Sequence, residues 1–245
     1  MNTGSGGKRG SCRCFFEREP SMERYKILYE DQDVLVIHKY PGLAVQSARS
    51  MTPDLVSMLR NRALEQGEAK PYLGLVNLLD QPVEGILLVG KNEKAAAELS
   101  RQVSDHIHME KWYLAIVRGK LPGEKGHLVD YLLKDGKTNM SRVVKEGTKG
   151  SKRSELEYEV RWEREGRSLV RVHLLTGRHH QIRVQLAHAG TPIVGDTKYG
   201  EGLVPEKRGE QLCLCSYRTS FIHPRTKKRM EFQVEPGFAA LPITP

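Results

Sequence analysis

Residues 176–200, TGRHHQIRVQLAHAGTPIVGDTKYG, combine a short helical pattern with glycine turns on both sides and many polar side chains. The preceding residues, 169–174, alternate apolar and polar side chains, which is typical of a half-buried strand. From 178 to 189 the apolar residues recur at spacings of four and three, which indicates one face of a helix. A strand, a tight turn and a polar helix in immediate succession predict a functional site here.

Arg183 is the member of this helix that does not fit a simple surface pattern. It lies between Ile182 and Val184, so we expect much of its surroundings to be apolar. An arginine in such surroundings needs a carboxylate or phosphate partner because its charge cannot be shed. The alternative is a surface arginine beside the apolar stripe, since arginines are mostly exposed.

Asp80 is the candidate partner, and it lies in the second informative stretch, residues 76–91, VNLLDQPVEGILLVGK. It follows a mostly apolar run, Pro82 excludes an ordinary strand ladder, and a buried strand begins at Gly85. The pattern therefore predicts a turn with Asp80 between two apolar segments. The alternative is a turn aspartate that only accepts hydrogen bonds from nearby backbone N–H groups.

Three motifs in a fixed order connect these stretches. They are L-D-x-P-x-x-G at 79–85, K-x-Y-x-A-x-V-x-G at 111–119, and T-G-R-x-H-Q-I-R at 176–183, which G-D-x-x-Y-G follows at 195–200. In this order and length they resemble the RluA-like family of RNA pseudouridine synthases. The resemblance extends from about residue 27 to residue 234, which is nearly the whole chain.

The resemblance implies an α+β fold in which helices flank a mixed, largely antiparallel sheet with a central active-site cleft. It implies one pseudouridine synthase catalytic domain over residues 22–240. Residues 1–21 have no periodicity and predict a disordered N-terminal extension. The residues before Ile27 are too few for the small RNA-binding domain that many family members carry, so we expect target choice to come from the catalytic domain itself.

Two further helices are predicted from local signals. One has Thr52 as its N-cap and Pro53 as its first residue. The other runs from Glu93 to about Val103 with Asn92 as its N-cap. Both cap residues have side-chain oxygens that accept hydrogen bonds from the first turn of a helix.

The resemblance also implies roles for three residues. Asp80 matches the family's catalytic aspartate, Arg183 matches the cation that opposes the rise in its pKa on burial, and Tyr113 matches the active-site tyrosine that packs on the uracil. The hydroxyl of Tyr113 could also assist removal of the carbon 5 proton. The implied reaction is the isomerisation of a specific uridine in structured RNA, either rRNA or tRNA, to pseudouridine, and it needs no cofactor.

Basic residues are predicted to contact the phosphates of the RNA, which position it without specifying its sequence. The candidates near the site are Lys39, Arg178 and His180. Outside it, residues 134–153 carry seven Lys or Arg against two acids, which suggests an RNA-binding arm. Its candidate contacts are Lys149, Lys152 and Arg153. The alternative for this arm is a solvated loop, because runs of charge usually face water.

One position departs from the family pattern. Where the family usually has His-Arg-Leu-Asp, this chain has Asn77-Leu78-Leu79-Asp80, so Leu78 replaces an arginine. By family analogy that arginine lies beside the aspartate, where the flipped nucleotide enters. We therefore expect the departure to affect turnover and to leave the fold unchanged.

The composition is that of an ordinary globular protein with an excess of positive charge. The 245 residues are 38% hydrophobic, and the formal net charge is +9. This excess favours RNA as the partner but is not specific for it, since many proteins are basic for other reasons. No apolar run approaches the roughly 20 residues of a membrane span. We therefore expect a cytoplasmic monomer without membrane contact and without an obligate protein partner.

Metal binding is not favoured by the cysteine and histidine spacings. The four cysteines occur as two C-x-C pairs, which is not the spacing of a zinc site, and we expect reduced thiols. The pair His106 and His108, and the adjacent His179 and His180, have no further ligands at a matching spacing.

A non-catalytic RNA-binding or RNA-folding protein that retains the synthase fold is the alternative function. The presence of Asp80, Tyr113 and Arg183 favours the enzyme. A surface that only binds RNA has no use for a carboxylate that faces phosphates, because like charges repel.

Overall fold

The computed structural model describes residues 24–47, 53–105, 107–200 and 211–238. In chain order the elements of this part are β1 (Tyr25–Glu30), β2 (Val34–Lys39), α1 (Leu55–Glu65), β3 (Gly74–Leu75), β4 (Glu84–Gly90), α2 (Glu93–Asp105), β5 (Glu110–Arg118), β6 (Lys125–Asp135), β7 (Met140–Val144), β8 (Lys152–Arg164), β9 (Arg167–Leu174), α3 (Gln181–His188), β10 (Leu214–Ile222) and β11 (Arg229–Gln233). The expected extension at 1–21 lies outside the described residues, and the domain limits of 22 and 240 stay predictions.

All of these strands belong to one sheet. Its path is β1-β2-β4-β10-β5-β9-β8-β6-β7, with β11 added to β10 and β3 added to β4. Paired strands are antiparallel except β10 and β4, which are parallel. The predicted α+β fold with a mixed, largely antiparallel sheet is therefore confirmed.

The alternation of apolar side chains in β4 explains why helices cover both faces of the sheet. Leu87 and Val89 belong to a core that also contains residues of α1 and α3, whereas Ile86 and Leu88 belong to a second core with Leu99 of α2. Full burial of such side chains stabilises a fold by roughly 1.5–3 kcal/mol each. None of the three described helices is both long and apolar enough to cross a bilayer.

Gly85 allows the parallel pairing of β4 with β10. Its φ is +131°, and a Cβ atom there would lie 2.5 Å from backbone atoms of Ser216. Any larger residue would push the two strands apart, so glycine is required where β4 begins. This close approach fixes the start of β4, which directly follows the loop that carries Asp80.

The cap of α1 differs from the prediction. The Oδ1 atom of Asp54 accepts the N–H of Ser57 at 2.8 Å, and the helix begins at Leu55. The predicted cap, Thr52, lies outside the described residues. Asp54 has the same capping chemistry two positions further along, which sequence spacing alone could not distinguish.

The helices α2 and α3 begin in different ways. α2 begins as predicted, and Oδ1 of Asn92 accepts the N–H of Ala95 at 2.9 Å. α3 begins at Gln181 rather than at residue 178. The residues before it form a turn in which His180 has a left-handed backbone, with φ 55° and ψ 22°. Histidine tolerates this conformation better than most side chains, and the turn directs its ring toward Asp80.

Residues 134–153 combine strands with the turns that join them, and they do not form one continuous loop. They complete β6, form β7 and begin β8, and β6 pairs with β7 as a hairpin. Apolar residues of this hairpin pack against α3, where Leu132 joins Val184 and Tyr199 in a small core. The seven Lys and Arg residues of the segment are all exposed. We call residues 125–153 the basic hairpin.

Candidate active site

The loop between β3 and β4 presents Asp80 to solvent. Asn77 fixes the start of this loop, because its Oδ1 accepts the N–H of Leu88 at 2.8 Å and its Nδ2 donates to the carbonyl of Ile86 at 3.2 Å. Through these two bonds the side chain of Asn77 binds the backbone of β4 just beyond the end of β3. Leu79 is buried, whereas Asp80 leaves 26% of its side chain exposed. The loop that carries the Asp80 carboxylate is therefore fixed to the sheet, while the carboxylate itself remains accessible to solvent.

Lys39 fixes the other side of the same loop. It is fully buried, and its ammonium donates to the carbonyl oxygens of Tyr40, Leu43 and Gln81 at 3.1, 2.9 and 3.1 Å. Burial lowers the pKa of Lys39 to about 8, which leaves the ammonium mostly protonated at neutral pH. Because its donors are used inside the protein, the predicted phosphate contact of Lys39 is wrong. Its contact with Gln81 positions the residue that follows Asp80.

Arg183 joins Asp80 to a second carboxylate, Asp196. Its Nη1 donates to Oδ2 of Asp80 at 3.1 Å, and its Nε and Nη2 donate to Asp196 at 2.8 and 2.7 Å. The side chain of Arg183 is 4% exposed and that of Asp196 is 0% exposed. Burial opposes the charge of Arg183, but the hydrogen bonds and charges of both carboxylates outweigh it and raise its pKa. The contact expected between Asp80 and Arg183 is therefore present, and Arg183 is no surface residue.

Asp196 is oriented by the backbone of its own turn. Its Oδ1 also accepts the N–H groups of Lys198 at 2.9 Å and Tyr199 at 3.2 Å. The preceding Gly195 has a φ of +77°, and a Cβ atom there would lie 2.1 Å from the carbonyl oxygen of Gln211. Glycine is therefore required for this turn to form. The turn orients Asp196, which in turn orients Arg183.

His180 is the second side chain next to Asp80. It is buried, and its Nε2 lies 3.4 Å from Oδ2 of Asp80. Its Nδ1 lies 2.6 Å from the hydroxyl of Tyr199, which accepts the N–H of Ser141 at 2.8 Å. Its ring also stacks on that of His179, with 3.7 Å between the ring centroids. His180 thus faces a carboxylate inside the protein, and its predicted contact with phosphate is wrong.

These hydrogen bonds define which nitrogen of His180 carries the proton. Burial lowers the pKa of His180 to about 4, so its ring is neutral at neutral pH. Burial also raises the pKa of Tyr199, whose hydroxyl is therefore protonated and needs an acceptor. The Nδ1 atom at 2.6 Å is that acceptor, because the tyrosine oxygen already receives the N–H of Ser141. The imidazole proton then lies on Nε2, which faces Asp80.

Both neighbours of Asp80 approach the same oxygen. Arg183 Nη1 lies 3.1 Å and His180 Nε2 lies 3.4 Å from Oδ2. Within the described part of the chain, no hydrogen bond or ion pair reaches Oδ1 of Asp80. Oδ1 is therefore the oxygen that a substrate can approach. We call Asp80, His180, Arg183, Asp196 and Tyr199 the Asp80 cluster.

Gln181 organises the turn that precedes α3. Its Oε1 accepts the hydroxyl of Thr176 at 2.8 Å and the N–H of Arg178 at 2.9 Å. Its Nε2 donates to the carbonyl of Glu155 at 3.0 Å, which ties the turn to β8. The motif T-G-R-x-H-Q therefore builds a turn with fixed hydrogen bonds, and this turn presents His180 to Asp80.

Tyr113 lies on β5, in the buried core that also contains Leu79. Only 6% of the residue is exposed. Burial raises the pKa of Tyr113 to about 12, and the charge of nearby Asp80 contributes to the rise. The phenol is therefore protonated at neutral pH. This pKa suits packing and hydrogen-bond donation, and it does not suit the expected assistance in removing the carbon 5 proton.

The remaining predicted RNA contacts are exposed, as a phosphate contact requires. Arg178 donates from its Nε to the carbonyl of Arg153 at 3.1 Å, so the two residues lie together beside the turn that presents His180. Arg153 also forms a close ion pair with Glu155. Lys149 and Lys152 are exposed on the basic hairpin. Contacts of these four basic residues with RNA stay predictions.

A cavity of about 430 Å³ borders the Asp80 cluster. Arg183 contributes to its wall, together with Gln81 and Thr197, which are the sequence neighbours of Asp80 and Asp196. Small-molecule sites typically have volumes of roughly 300–1,000 Å³, so the cavity has room for part of a nucleotide. A second cavity of about 470 Å³ lies beside Trp112 and His173. These two residues alternate along β5 and β9 with residues that face the Asp80 cluster. The second cavity therefore belongs to the opposite face of the sheet.

One group of possible metal ligands occurs in the described residues, and it lies in two turns away from the Asp80 cluster. Its members are Asp31, Asp33 and His223. Their atoms already have protein partners: His223 Nε2 lies 2.8 Å from Asp31, Asp31 accepts the N–H of Asp33 at 2.8 Å, and Arg225 lies 2.7 Å from Asp33. The group joins the turn after β1 to the turn after β10.

Leu78 extends into solvent next to Asp80. The residue is 68% exposed, whereas Leu79, which lies between Leu78 and Asp80 in the sequence, is 7% exposed and belongs to the core. Isolated exposed leucines are common on protein surfaces. Here, however, the exposed side chain occupies the position at which the family resemblance predicts an arginine. Leu78 is thus an exposed apolar side chain two positions before Asp80 on the same loop.

The fold and the carboxylate anchored by a buried arginine define an enzyme-like site, and comparison with known proteins identifies its family. The chain belongs to the RNA pseudouridylate synthase family, whose family model matches residues 33–188. This confirms the family that the three motifs predicted.

Relatives of known name match most of this chain. The ribosomal large subunit pseudouridine synthase C of Escherichia coli is 35% identical over 213 residues, which are 84% of this chain and 65% of that protein. The protein of the same name from Haemophilus ducreyi is 33% identical over 208 residues, which are 83% of this chain and 63% of that protein. The solved structure of human RNA pseudouridylate synthase domain containing 1 has 25% identity and a TM-score of 0.71, and the match covers 91% of this chain and 89% of that chain. The present chain thus spans less than two thirds of the length of its curated relatives.

Three residues that position the neighbours of Asp80 were not identified from sequence. They are Asp196, Tyr199 and Ser141. A second carboxylate such as Asp196 could have been predicted, because a buried guanidinium has five donors and one accessible carboxylate cannot satisfy them. Ser141 gave no signal, since it contributes a backbone N–H from the basic hairpin, 58 residues from Tyr199.

Proposed function

We propose that the protein is an RNA pseudouridine synthase that isomerises a uridine in RNA, with Asp80 as the catalytic residue. The observation that carries this proposal is the environment of Asp80. One oxygen, Oδ2, contacts buried Arg183 and His180, while the other, Oδ1, has no partner among the described residues and the side chain is 26% exposed. Membership of the RNA pseudouridylate synthase family supports the same reaction.

The isomerisation breaks the bond between uracil N1 and ribose C1′ and forms a bond between uracil C5 and the same C1′. The proton of C5 is lost and N1 gains one, so nothing is oxidised or reduced and no cofactor is needed. As the first bond lengthens, positive charge develops on the ribose, which a fixed carboxylate can stabilise. The Oδ1 atom of Asp80 can stabilise this charge, attack C1′ or remove a sugar proton. Each of these routes requires an ionised Asp80.

Arg183 and His180 both contact Asp80 from one side. Arg183 supplies a permanent positive charge that Asp196 orients, and His180 supplies a neutral N–H group that Tyr199 orients. Both act on Oδ2, so neither covers Oδ1. We therefore assign Arg183 and His180 as positioning residues, and Asp80 as the group that contacts the reacting ribose.

Tyr113 is assigned to the uracil and not to the ribose. Its ring is buried in the core that contains Leu79, and the charge of Asp80 acts on its hydroxyl, so the phenol lies near the carboxylate. A protonated phenol can donate a hydrogen bond to a uracil carbonyl while the ring packs on the base. The pKa of about 12 makes Tyr113 an unsuitable base at neutral pH, so the carbon 5 proton is expected to leave by another route.

A base inside folded RNA must be flipped out of its stack before a carboxylate can reach its ribose. Phosphate contacts that hold the flipped RNA are then expected from the exposed cations beside the cluster, Arg178 and the basic hairpin. We propose ribosomal RNA as the substrate, because the curated relatives named above are ribosomal large subunit enzymes.

The test of this function is the variant Asp80→Asn. The change removes the charge and keeps the shape, so we expect release of tritium from RNA labelled at uridine C5 to fall below detection, with RNA affinity within a few fold of the wild type. Asp105→Asn is the control, since this aspartate pairs with Arg101 and His108 at the end of α2. It is expected to retain wild-type turnover.

Turnover by Asp80→Asn at the wild-type rate would refute the assignment of the catalytic residue. If the wild type and Asp105→Asn bind total cellular RNA but release no tritium from it, the non-catalytic RNA-binding hypothesis is favoured. Binding and turnover are therefore measured on the same RNA preparation.

A further inference from the structure

Lys111 is a buried cation without a partner. It lies on β5 two positions before Tyr113, so both side chains point to the same face of the sheet. The residue is only 5% exposed. In the described part of the chain, its ammonium has neither a hydrogen bond nor an ion pair.

The other two buried cations of this region show how unusual that is. Lys39 donates to three carbonyl oxygens, and Arg183 donates to two carboxylates. Lys111 has no such partner among the described residues, and its Nζ is not one of their fully enclosed atoms that lack a hydrogen bond, so a ligand can still reach it. Partial burial of an unpaired charge is unfavourable, and an anion from outside the chain can supply the missing partner.

The ammonium of Lys111 lies just below an exposed part of the turn that precedes α3. A Cβ atom on Gly177 would lie 3.6 Å from the Lys111 Nζ, and Gly177 itself is exposed. Arg178, the next residue, is also exposed, and its charge lowers the pKa of Lys111 further after burial has lowered it. Two cations thus face one position at the surface, and no carboxylate contributes to the pKa of Lys111.

We propose that Lys111 and Arg178 bind a phosphodiester group of the RNA, next to the nucleotide whose uracil lies against Tyr113. Residues two positions apart on a strand are separated by about 6.7 Å, so base and phosphate would occupy neighbouring places on one face of β5. A neutral uracil carbonyl would leave the charge of Lys111 uncompensated. A phosphodiester carries a full negative charge and accepts hydrogen bonds from lysine and arginine together. This inference rests on the proposed function in assuming that RNA is the ligand.

The variant Lys111→Met tests this inference because it separates binding from folding. Methionine keeps the length and removes the charge, so we expect an unchanged or higher melting temperature. For a single-stranded uridine-containing RNA at about 0.1 M salt, Kd should rise about tenfold for the lost charged contact. The slope of log K against log salt should become shallower by about 0.7.

Two control variants complete the experiment. Lys39→Met removes the other buried lysine and should lower the melting temperature, because three carbonyl oxygens lose their donor. Lys120→Met removes an exposed lysine that pairs with Glu163, and the salt slope should stay at its wild-type value. If Lys111→Met aggregates, Lys111→Gln removes the same charge with a polar side chain and should give the same loss of slope.

The outcomes distinguish this inference from the proposed function. A lower melting temperature with unchanged Kd and slope in Lys111→Met would show a structural role and overturn the phosphate contact. If the wild type releases tritium from C5-labelled RNA while the neutral Lys111 variants keep its Kd and slope, the isomerase stands and the phosphate contact fails. If the wild type releases no tritium but the neutral variants still flatten the slope, the phosphate contact stands and the isomerase fails.

Discussion

The Asp80 cluster and the basic hairpin use charge in opposite ways. In the cluster, Arg183 and Asp196 are almost completely buried, and each guanidinium nitrogen of Arg183 donates to a carboxylate at 2.7 to 3.1 Å. In the hairpin, eight Lys and Arg residues are exposed to water. The two regions nevertheless touch, because Ser141 of the hairpin donates its N–H to Tyr199 of the cluster.

The difference shows what each region can contribute to function. Buried charges are expensive to desolvate and are useful only in one geometry, so the cluster can orient a reacting carboxylate. Exposed charges interact weakly with any single partner and are screened by salt, so the hairpin can attract RNA without fixing its position precisely enough for chemistry. Substitutions should therefore affect stability and turnover in the cluster, and mainly salt-dependent binding in the hairpin.

The largest effect is expected from Asp196→Asn. The amide would place an N–H group opposite a donor of Arg183, which breaks a fully buried ion pair. Loss of one partner of such a pair costs about 3 kcal/mol of unfolding free energy. Because Arg183 then no longer fixes Asp80, kcat should fall about 100-fold. Urea unfolding and single-turnover tritium release measure the two effects.

The matched control for Asp196→Asn is Glu231→Gln. Arg218 donates to Glu231 through Nε and Nη2 at 2.9 Å each, which is the same two-bond arrangement on an exposed surface. Exposed pairs contribute little, so the loss should stay below about 0.5 kcal/mol with unchanged kcat. Equal losses of stability in both variants would contradict the distinction between buried and exposed charge.

The hairpin should show the second largest effect, and it should appear in binding. Replacement of Lys149, Lys152 and Arg153 by glutamine should flatten the dependence of log K on log salt by up to about 0.9 for each lost phosphate contact. The free energy of unfolding should change by less than about 0.5 kcal/mol for each exposed position. Filter binding between low and moderate salt measures the slope.

A second triple variant controls for net charge. Replacement of Lys227, Lys228 and Arg229 by glutamine removes the same charge from the exposed end of the β10–β11 hairpin, where Arg229 is the first residue of β11. We expect a wild-type slope from this variant. If both triples flatten the slope equally, the effect comes from the overall charge of the protein, and the basic hairpin has no special role.

The family resemblance predicted the fold, and the apolar neighbours of Arg183 predicted that it needs a carboxylate partner. The order of three motifs predicted the family, which the family match confirms. Burial of Arg183 among apolar neighbours predicted its contact with Asp80, which the structure shows at 3.1 Å. The reason is that a buried guanidinium requires a carboxylate, whatever the rest of the fold.

The errors concern residues whose environment depends on distant parts of the chain. Lys39 was expected at a phosphate, but carbonyls on both sides of the Asp80 loop enclose it. His180 was expected at a phosphate as well, but Tyr199 and Asp80 bind its two ring nitrogens from different segments. Composition and spacing do not distinguish a buried cation or imidazole from an exposed one, because long-range packing decides their burial.

The smallest effect is expected at Leu78, which shares one property with the hairpin and one with the cluster. Its side chain is exposed, as in the hairpin residues, and it lies two positions before Asp80 in the sequence. Leu78→Arg would add a cation with five donors next to the position of a flipped uridine, at little expected cost to stability. Flipping a base out of a helix costs a few kcal/mol, and an unpaired base costs less. The variant should therefore help most on paired RNA.

We thus expect Leu78→Arg to raise the single-turnover rate on a stem-loop RNA by up to about tenfold, the worth of one additional charge-assisted hydrogen bond. On an unstructured RNA of the same sequence the rate should change less than twofold, since little flipping energy needs to be recovered there. Leu78→Gln is the control, because it adds hydrogen-bonding atoms without the charge. If Leu78→Arg accelerates both RNAs equally, the new cation acts on RNA binding and not on flipping. If it accelerates neither, residue 78 takes no part in extruding the uridine, and the exposed cations of Arg178 and the basic hairpin supply that energy.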